Sequence, residues 1–158
     1  MENKKIDKGF SLLEICIVIA MIAIVAAIAA PSLSAYYRTY KFKEYAYSME
    51  SLVRVSKLTA MERSVNVGIC TDSDAKTLSI VNMGDSRSKS QICSGTVLNT
   101  LRIEDSFVSL SGSAIAFDPR GFAIFIGNVC VSNDVKYYKV IISRFGAIRI
   151  DKGSGGCS

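Results

Sequence analysis

Residues 8–14 read KGFSLLE, and residues 15–30 continue the chain as ICIVIAMIAIVAAIAA. Of the 21 residues from 10 to 30, 19 are apolar. A helix over them would span roughly 32 Å, about the thickness of a bilayer core. Lysines precede this run and none lies inside it, so residues 1–9 are expected to stay in the cytoplasm while the chain after Ala30 is exported. The sequence therefore predicts one N-terminal helix that crosses a membrane.

An acidic residue, Glu14, lies inside the apolar run. A carboxylate within a membrane helix costs about 2.5 to 3.5 kcal/mol on insertion scales, so an intramembrane acid is expected to have a function and a partner. Two simpler interpretations of the segment are a secretory signal peptide, cut at the small-residue pattern of residues 27–29, and a plain signal anchor. Both account for the length and the charge asymmetry, but neither accounts for Glu14.

Gly9, Phe10 and Glu14, at this spacing and followed by an unbroken apolar helix and Pro31, resemble the processing site of type IV prepilins. This family includes pilus subunits and the pseudopilins of type II secretion. The resemblance implies that a prepilin peptidase cleaves between Gly9 and Phe10, that the new amino terminus on Phe10 is methylated, and that the helix is retained. Glu14 is then expected to act in assembly, because its carboxylate can pair with the terminal amine of a neighbouring subunit.

The chain after the apolar run is predicted to continue as a helix to about Arg63. Pro31 lacks an amide donor and should kink or interrupt this helix. Apolar residues then recur at the three- and four-residue spacing of a helix with one buried face. They are Phe42, Ala46, Met49, Val53 and Ala60. The residues predicted for the solvent face are Glu44, Glu50, Arg54 and Lys57.

From residue 64 onward the pattern changes to short segments of strand-like composition, separated by turns that contain glycine or proline. These segments are residues 65–70, 77–82, 96–103, 107–111, 114–118, 122–126, 128–132, 137–143 and 147–151. A long helix followed by such strands predicts an α+β fold, in which the second half of the helix packs on an antiparallel β-sheet.

Residues 116–121 (AFDPRG), 129–132 (VCVS) and 140–143 (VIIS) are similar to the GspH/FimT branch of minor pilins and minor pseudopilins. The resemblance implies the type IV pilin fold and divides the chain into four segments. They are a cleaved cytoplasmic leader (1–9), a transmembrane and assembly helix (10–30), an amphipathic periplasmic half of the helix (31–63) and a β-rich periplasmic domain (64–158).

Four of the five cysteines fall in the segment expected to be exported, an even number that suits disulfides in an oxidising compartment. Three connectivities are open. Pairing between cysteines that follow one another in the sequence favours Cys70 with Cys93 and Cys130 with Cys157. Cys16 lies in the apolar run and is interpreted as a small packing residue. No Cys-x-x-Cys occurs, so zinc binding and thioredoxin-like chemistry are poor interpretations, and no metal site is predicted.

The sequence contains no histidine and no tryptophan. This excludes histidine-based acid/base catalysis, Ser-His and Cys-His nucleophile pairs, and zinc or haem sites that use histidine. No other catalytic pattern in the chain has its accompanying motifs. We therefore expect a protein that is not an enzyme and that needs no cofactor.

The last third of the chain is biased toward basic residues, which could track a phosphate backbone. The candidate DNA-binding residues are Arg144, Arg149 and Lys152. Some FimT-like pilins linked to competence are thought to hold DNA with a Gly-Arg-x-Arg stretch near the C-terminus. Residues 146–149 read GAIR, which keeps the glycine and the second arginine but lacks the first. A solvated basic face is the favoured alternative.

These features predict a minor type IV pilin, a single-pass inner-membrane protein with a periplasmic C-terminal domain that primes filament assembly. A minor pseudopilin of a type II secretion system is the first alternative, and a pilus-associated DNA receptor for competence is the second. The expected partners are prepilin peptidase, the inner membrane, and other pilins or pseudopilins that contact the N-terminal helix. DNA is a partner only in the receptor alternative.

Overall fold

The structure, a computed structural model, describes residues 11–157. It begins with one α-helix, α1 (Leu12–Arg63), of 52 residues. The chain divides into two compact units, the first up to Thr39 and the second from Tyr40. The helix therefore contributes its first part to one unit and its last part to the other. It ends at Arg63, as the sequence predicts.

Helix α1 runs through Pro31 without interruption. Proline removes one backbone hydrogen bond, but two serine hydroxyls bond to carbonyls of this turn: Ser32 Oγ donates to the Ala29 carbonyl (2.8 Å) and Ser34 Oγ to the Pro31 carbonyl (2.9 Å). The predicted interruption is therefore wrong, because the loss of one bond does not end so long a helix. A kink at Pro31 stays a prediction.

Within residues 11–157 nine strands follow the helix, one in each segment that the sequence predicts. They are β1 (Asn66–Asp72), β2 (Thr77–Gly84), β3 (Thr96–Arg102), β4 (Ser109–Gly112), β5 (Ile115–Phe117), β6 (Ala123–Phe125), β7 (Gly127–Ser132), β8 (Lys136–Ile142) and β9 (Ile148–Ser154). A short 3₁₀ turn, Lys89–Gln91, lies between β2 and β3. The strand bounds differ from the predicted ones by a few residues at most.

The strands form two sheets, where the sequence predicted one. The first has the order β3-β2-β1-β5-β6 and the second β4-β7-β8-β9, and every pairing is antiparallel. The division arises at β5, which pairs with only three residues of β1 before the chain turns into β6. Strand β4 pairs with β7 and so belongs to the second sheet.

One core lies between the second part of α1 and the inner faces of both sheets. All five helix residues predicted to be buried are buried, and Met49 and Val53 are fully so. Burial of side chains of this size contributes about 1.5 to 3 kcal/mol each. Alternate residues of the strands supply the opposite wall. These are Val67 and Ile69, Leu78 and Ile80, Ile115 and Phe117, Val129 and Val131, and Tyr138, Val140 and Ile142.

The solvent face of the helix matches the prediction only in part. Glu44 and Arg54 are exposed, but Lys57 and Glu50 are half-buried. The Lys57 ammonium donates to the Gly146 carbonyl (3.0 Å), and Glu50 accepts a hydrogen bond from Tyr138. The placement of Glu50 on the solvent face is therefore wrong, because a strand 88 residues further along the chain covers it.

The outer face of each sheet is fastened by a disulfide. Cys70 on β1 bonds to Cys93, which holds the β2–β3 connection over the first sheet, where Ile92 packs with Met83 and Ala116. In the second sheet Cys130 bonds to Cys157. These are the two pairs that were favoured from the order of the cysteines in the sequence. In both cases the bonded strand cysteine alternates with core residues, so it faces away from the helix.

Candidate functional site

The first part of α1 carries the membrane-spanning features. Within the part of the chain that the structure describes, α1 is the one helix long and apolar enough to cross a membrane by length and composition. Its most apolar window has a mean hydropathy of 2.9 and is not buried against the rest of the protein. Side chains such as Ile22 and Val25 are more than 60% exposed, so this apolar surface is available to lipid or to other helices.

Glu14 lies in the first turn of α1. The Ser11 carbonyl accepts the amides of Glu14 (3.0 Å) and Ile15 (3.2 Å), so Ser11 occupies the N-cap position just before the helix. Ser11 and Glu14 have the spacing of a helix-capping box, and a carboxylate near a helix N-terminus is favoured by the helix dipole. This second reason for an acid at position 14 was not predicted from the sequence. Gly9 and Phe10, the predicted cleavage and methylation residues, lie outside the described residues.

The three candidate DNA-binding residues do not share one surface. Arg144 lies in the turn between β8 and β9, and the other two lie on β9. Lys152 pairs in register with Tyr138, whose ring its ammonium covers at 4.7 Å from the centroid. Arg149 pairs with Ile141 and lies on the opposite face of the strand. An odd spacing on a strand separates side chains between its two faces, so these residues form no continuous basic track.

A hydrogen-bonded cluster that the sequence analysis missed joins α1 to the second sheet. The Tyr138 hydroxyl donates to Glu50 Oε2, and the Arg54 guanidinium donates twice to Glu50 Oε1 (2.9 and 2.8 Å). The Tyr138 bond, followed by the Arg54 contacts, lowers the pKa of Glu50 against the opposing effect of burial. Burial and the Glu50 carboxylate raise the pKa of Tyr138. Only the i, i+4 pair of Glu50 and Arg54 could have been found from sequence.

A second missed cluster surrounds Asp118, a buried carboxylate at the end of β5. Its Oδ1 accepts the amides of Arg120 (3.0 Å) and Phe122 (2.9 Å), and its Oδ2 accepts the Arg120 guanidinium (3.2 and 2.9 Å). Arg87 approaches Oδ2 at 3.6 Å. Burial raises the pKa of Asp118, but the hydrogen bonds from Arg120 and Phe122 outweigh burial and lower it. The sequence Asp-Pro-Arg-Gly is typical of a turn and could have indicated that Asp118 bonds to backbone amides within it.

Among residues 11–157 no three histidine, cysteine, aspartate or glutamate residues come together as ligands for a metal ion. The Glu50 carboxylate is hydrogen-bonded to Tyr138 and Arg54, and the Asp118 carboxylate is hydrogen-bonded to Arg120.

The helix and the two antiparallel sheets together are the type IV pilin fold. Residues 4–30 match the family described as the prokaryotic N-terminal methylation motif. The chain therefore has a prepilin-like N-terminal motif, and its described part has the fold of minor pilins and minor pseudopilins.

Solved structures support the assignment of the fold. The minor pilin FimU of Pseudomonas aeruginosa superposes with a TM-score of 0.57 at 14% identity, over 73% of this chain and 92% of FimU. The minor pseudopilin EpsH of Vibrio cholerae gives a TM-score of 0.55 at 12% identity, over 70% of this chain and 96% of EpsH. A comparison with curated proteins finds no match. At 14% and 12% sequence identity, these two structures show that the fold is shared.

Proposed function

We propose that this protein is a minor type IV pilin that primes filament assembly. The observation that carries the proposal is the methylation motif over residues 4–30, on a chain whose described part has the minor pilin fold. In this proposal the leader 1–9 is removed by prepilin peptidase, Phe10 becomes the methylated N-terminus, and the chain enters the filament from the inner membrane with its C-terminal domain in the periplasm.

Physical chemistry assigns Glu14 a part in assembly. After cleavage the amine on Phe10 is a positive charge next to lipid, and Glu14 is a carboxylate surrounded by exposed apolar side chains. Either charge is costly alone in hydrocarbon, whereas a pair between neighbouring subunits is less so. The pair would form only when two helices lie side by side in the correct axial register, so it favours ordered assembly.

Processing is tested by the mass and sequence of the mature N-terminus. We expect a chain that begins at methylated Phe10, and Gly9→Val should leave the leader attached. Asn3→Val is the matched control, because it places the same side chain in the leader away from the junction. A mature chain that begins after Ala29 would establish an ordinary signal peptide and overturn the proposal.

The role of Glu14 is tested by incorporation into filaments. Glu14→Gln should be cleaved and methylated normally but should be lost from purified filaments. Glu62→Gln is the matched control, because Glu62 is an exposed carboxylate on the same helix outside the apolar run. Equal incorporation of both variants would remove the assembly role from Glu14.

A pseudopilus is the alternative assembly, since EpsH matches this chain about as well as FimU does. The two proposals differ in what a deletion of the gene would impair. Loss of surface fibres with normal protein export supports the pilus, and loss of export supports the pseudopilus. The gene neighbourhood gives the same distinction at lower cost.

A DNA receptor gains no support from the positions of the candidate basic residues, which lie on different surfaces. The full chain in detergent can be titrated with duplex DNA at two salt concentrations. Binding that weakens with salt and with Arg149→Ala would favour the receptor, because counterion release makes phosphate contacts dependent on salt.

A further inference from the structure

Three arginines meet at the end of the second unit where α1 terminates. Arg87 follows β2, Arg120 lies in the β5–β6 turn, and Arg144 lies in the β8–β9 turn. With the aromatic rings of Phe122 and Phe145 they line an open cavity of about 370 Å³. We call these five residues the arginine–phenylalanine surface. Phe122 is 43% exposed and Phe145 is 78% exposed, so both rings are open to a partner.

The surface has a net positive charge. Asp118 is the one carboxylate among the described residues that line the cavity, and three arginines less one aspartate give a formal charge of +2. Asp118 accepts two hydrogen bonds from the Arg120 guanidinium, and Arg87 approaches it at 3.6 Å. Arg144 is exposed, and within residues 11–157 its guanidinium has no hydrogen-bond or ion-pair partner. The Arg120 guanidinium is thus bonded within the surface, whereas the Arg87 and Arg144 guanidiniums can still bond to a partner.

The two turns that carry most of the surface are locked together. The Ala123 amide donates to the Arg144 carbonyl (3.3 Å), and the Lys57 ammonium donates to the Gly146 carbonyl (3.0 Å). Gly146 packs so closely on the other turn that a Cβ on it would lie 1.9 Å from the Gly121 carbonyl oxygen. A site that is rigid before binding loses less conformational entropy on binding.

We propose that the arginine–phenylalanine surface docks a segment of a neighbouring protein subunit that presents carboxylates beside an apolar side chain. Arginine and aromatic residues are the types that concentrate binding energy at protein interfaces. Carboxylates match the guanidiniums in charge and geometry, and the apolar side chain covers the phenylalanine rings. That this neighbour is another filament subunit rests on the proposed function.

Charge distribution disfavours a nucleic acid as the occupant. A phosphate backbone needs a basic track that extends beyond one cavity. Arg149 lies on β9 outside the cavity, and the Lys152 ammonium covers the Tyr138 ring, so neither extends the positive charge of the surface. Without a continuation through these two residues, the surface suits a short acidic segment.

The test uses the full chain in its native membranes, with p-benzoylphenylalanine in place of Phe145 as a photo-crosslinking probe. We expect a protein adduct whose crosslinked peptide contains aspartate or glutamate next to an apolar residue. Arg144→Glu and Arg87→Glu should each lower the adduct yield at least about tenfold. Arg149→Glu is the matched control, because it makes the same charge change on an exposed residue outside the cavity, and it should preserve the yield.

Charge exchange completes the test. Replacement of the crosslinked carboxylates by arginine should restore the adduct with Arg144→Glu and weaken it with the unchanged chain. The proposal is overturned by an adduct with nucleic acid or lipid, by a crosslinked peptide without carboxylates, by no adduct, or by equal yields from the cavity variants and Arg149→Glu.

Two readouts keep this proposal separate from the proposed function. The mature N-terminus and recovery in filaments are measured on the same variants, and non-reducing peptide maps confirm both disulfides as a check of folding. A chain that is processed and incorporated but gives no adduct overturns the docking surface alone. A chain that begins after Ala29 overturns the proposed function, whichever adduct forms.

Discussion

Tyr138 donates its phenolic hydrogen bond to the Glu50 carboxylate, across 88 residues of sequence. The bond ties the half-buried side of α1 to the middle of β8. Arg54 holds the other oxygen of the carboxylate, and the Lys152 ammonium covers the Tyr138 ring. The ring of Tyr47 meets the ring of Tyr138 edge-on, with centroids 6.0 Å apart. Helix and sheet are therefore joined by a directional contact as well as by the apolar core.

Tyr138→Phe should lower the free energy of unfolding by about 1.5 to 3 kcal/mol, the range for a hydrogen bond to a charged group. The ring and its packing remain, while Glu50 loses one partner in a half-buried position. Urea unfolding of the full chain in detergent measures the change. Tyr137→Phe is the control, because its hydroxyl bonds to the exposed Asp151 (3.1 Å), where solvent replaces the lost bond, so it should lower the free energy of unfolding much less than Tyr138→Phe does. Equal losses in the two variants would contradict the stabilising role of Glu50.

Stability should fall as the solution becomes acidic. The folded protein lowers the pKa of Glu50 from 4.5, mainly through the Tyr138 bond, and lowers the pKa of Asp118 from 3.8, where the bonds to Arg120 and Phe122 outweigh burial. A lowered folded pKa gives stability that is complete above the unfolded value and is lost as the pH falls through the folded value. The urea midpoint should therefore decrease below about pH 5.

Carboxamide variants identify the groups responsible for the acid response. Glu50→Gln and Asp118→Asn should be less stable at neutral pH and should lose less stability between pH 5 and pH 3. Asp74→Asn, at an exposed position in the β1–β2 turn, should keep the full acid response. An unchanged response in both carboxamide variants would assign acid sensitivity to other groups.

Each disulfide should contribute about 2 to 4 kcal/mol, because it closes a loop of more than 20 residues in the unfolded chain. Paired replacement of Cys70 and Cys93 by serine should also uncover Ile92 and Met83, so dye binding to apolar surface should increase. Paired replacement of Cys130 and Cys157 releases only the tail and should increase dye binding less. Non-reducing peptide maps provide the check of pairing, and a map with crossed pairs would contradict the structure.

Gly146→Ala should lower the free energy of unfolding by more than about 2 kcal/mol, since a left-handed residue with a side chain is strained and the new methyl meets backbone. Gly146 has a φ of +70°, and its Cβ would lie 1.9 Å from the Gly121 carbonyl oxygen. Gly156→Ala is the control, because nothing lies within 4 Å of its Cβ. Thermal unfolding should separate the two variants clearly. A wild-type melting temperature for Gly146→Ala would show that the two turns can separate without cost.

The patterns with a local physical cause were predictable. The length of α1 follows from apolar spacing, the nine strands follow from alternation and turn residues, and the end of the helix at Arg63 was foreseen. The contact of Glu50 with Tyr138 and that of Asp118 with Arg87 were not, because the two partners lie far apart in sequence. Nothing in the local composition around β5 indicated that the ladder would break there and leave two sheets.

The sequence by itself determined the long apolar N-terminal helix, the α+β class and the N-terminal methylation motif, since hydropathy, periodicity and residue spacing are properties of neighbouring residues. Only the tertiary structure decided which side chains share a surface. It placed Arg149 and Lys152 on opposite faces of β9, and it brought Arg144 together with Arg87 and Arg120 around a buried carboxylate. The reason is that strand register and the packing of turns, which depend on the whole core, determine where each charge lies.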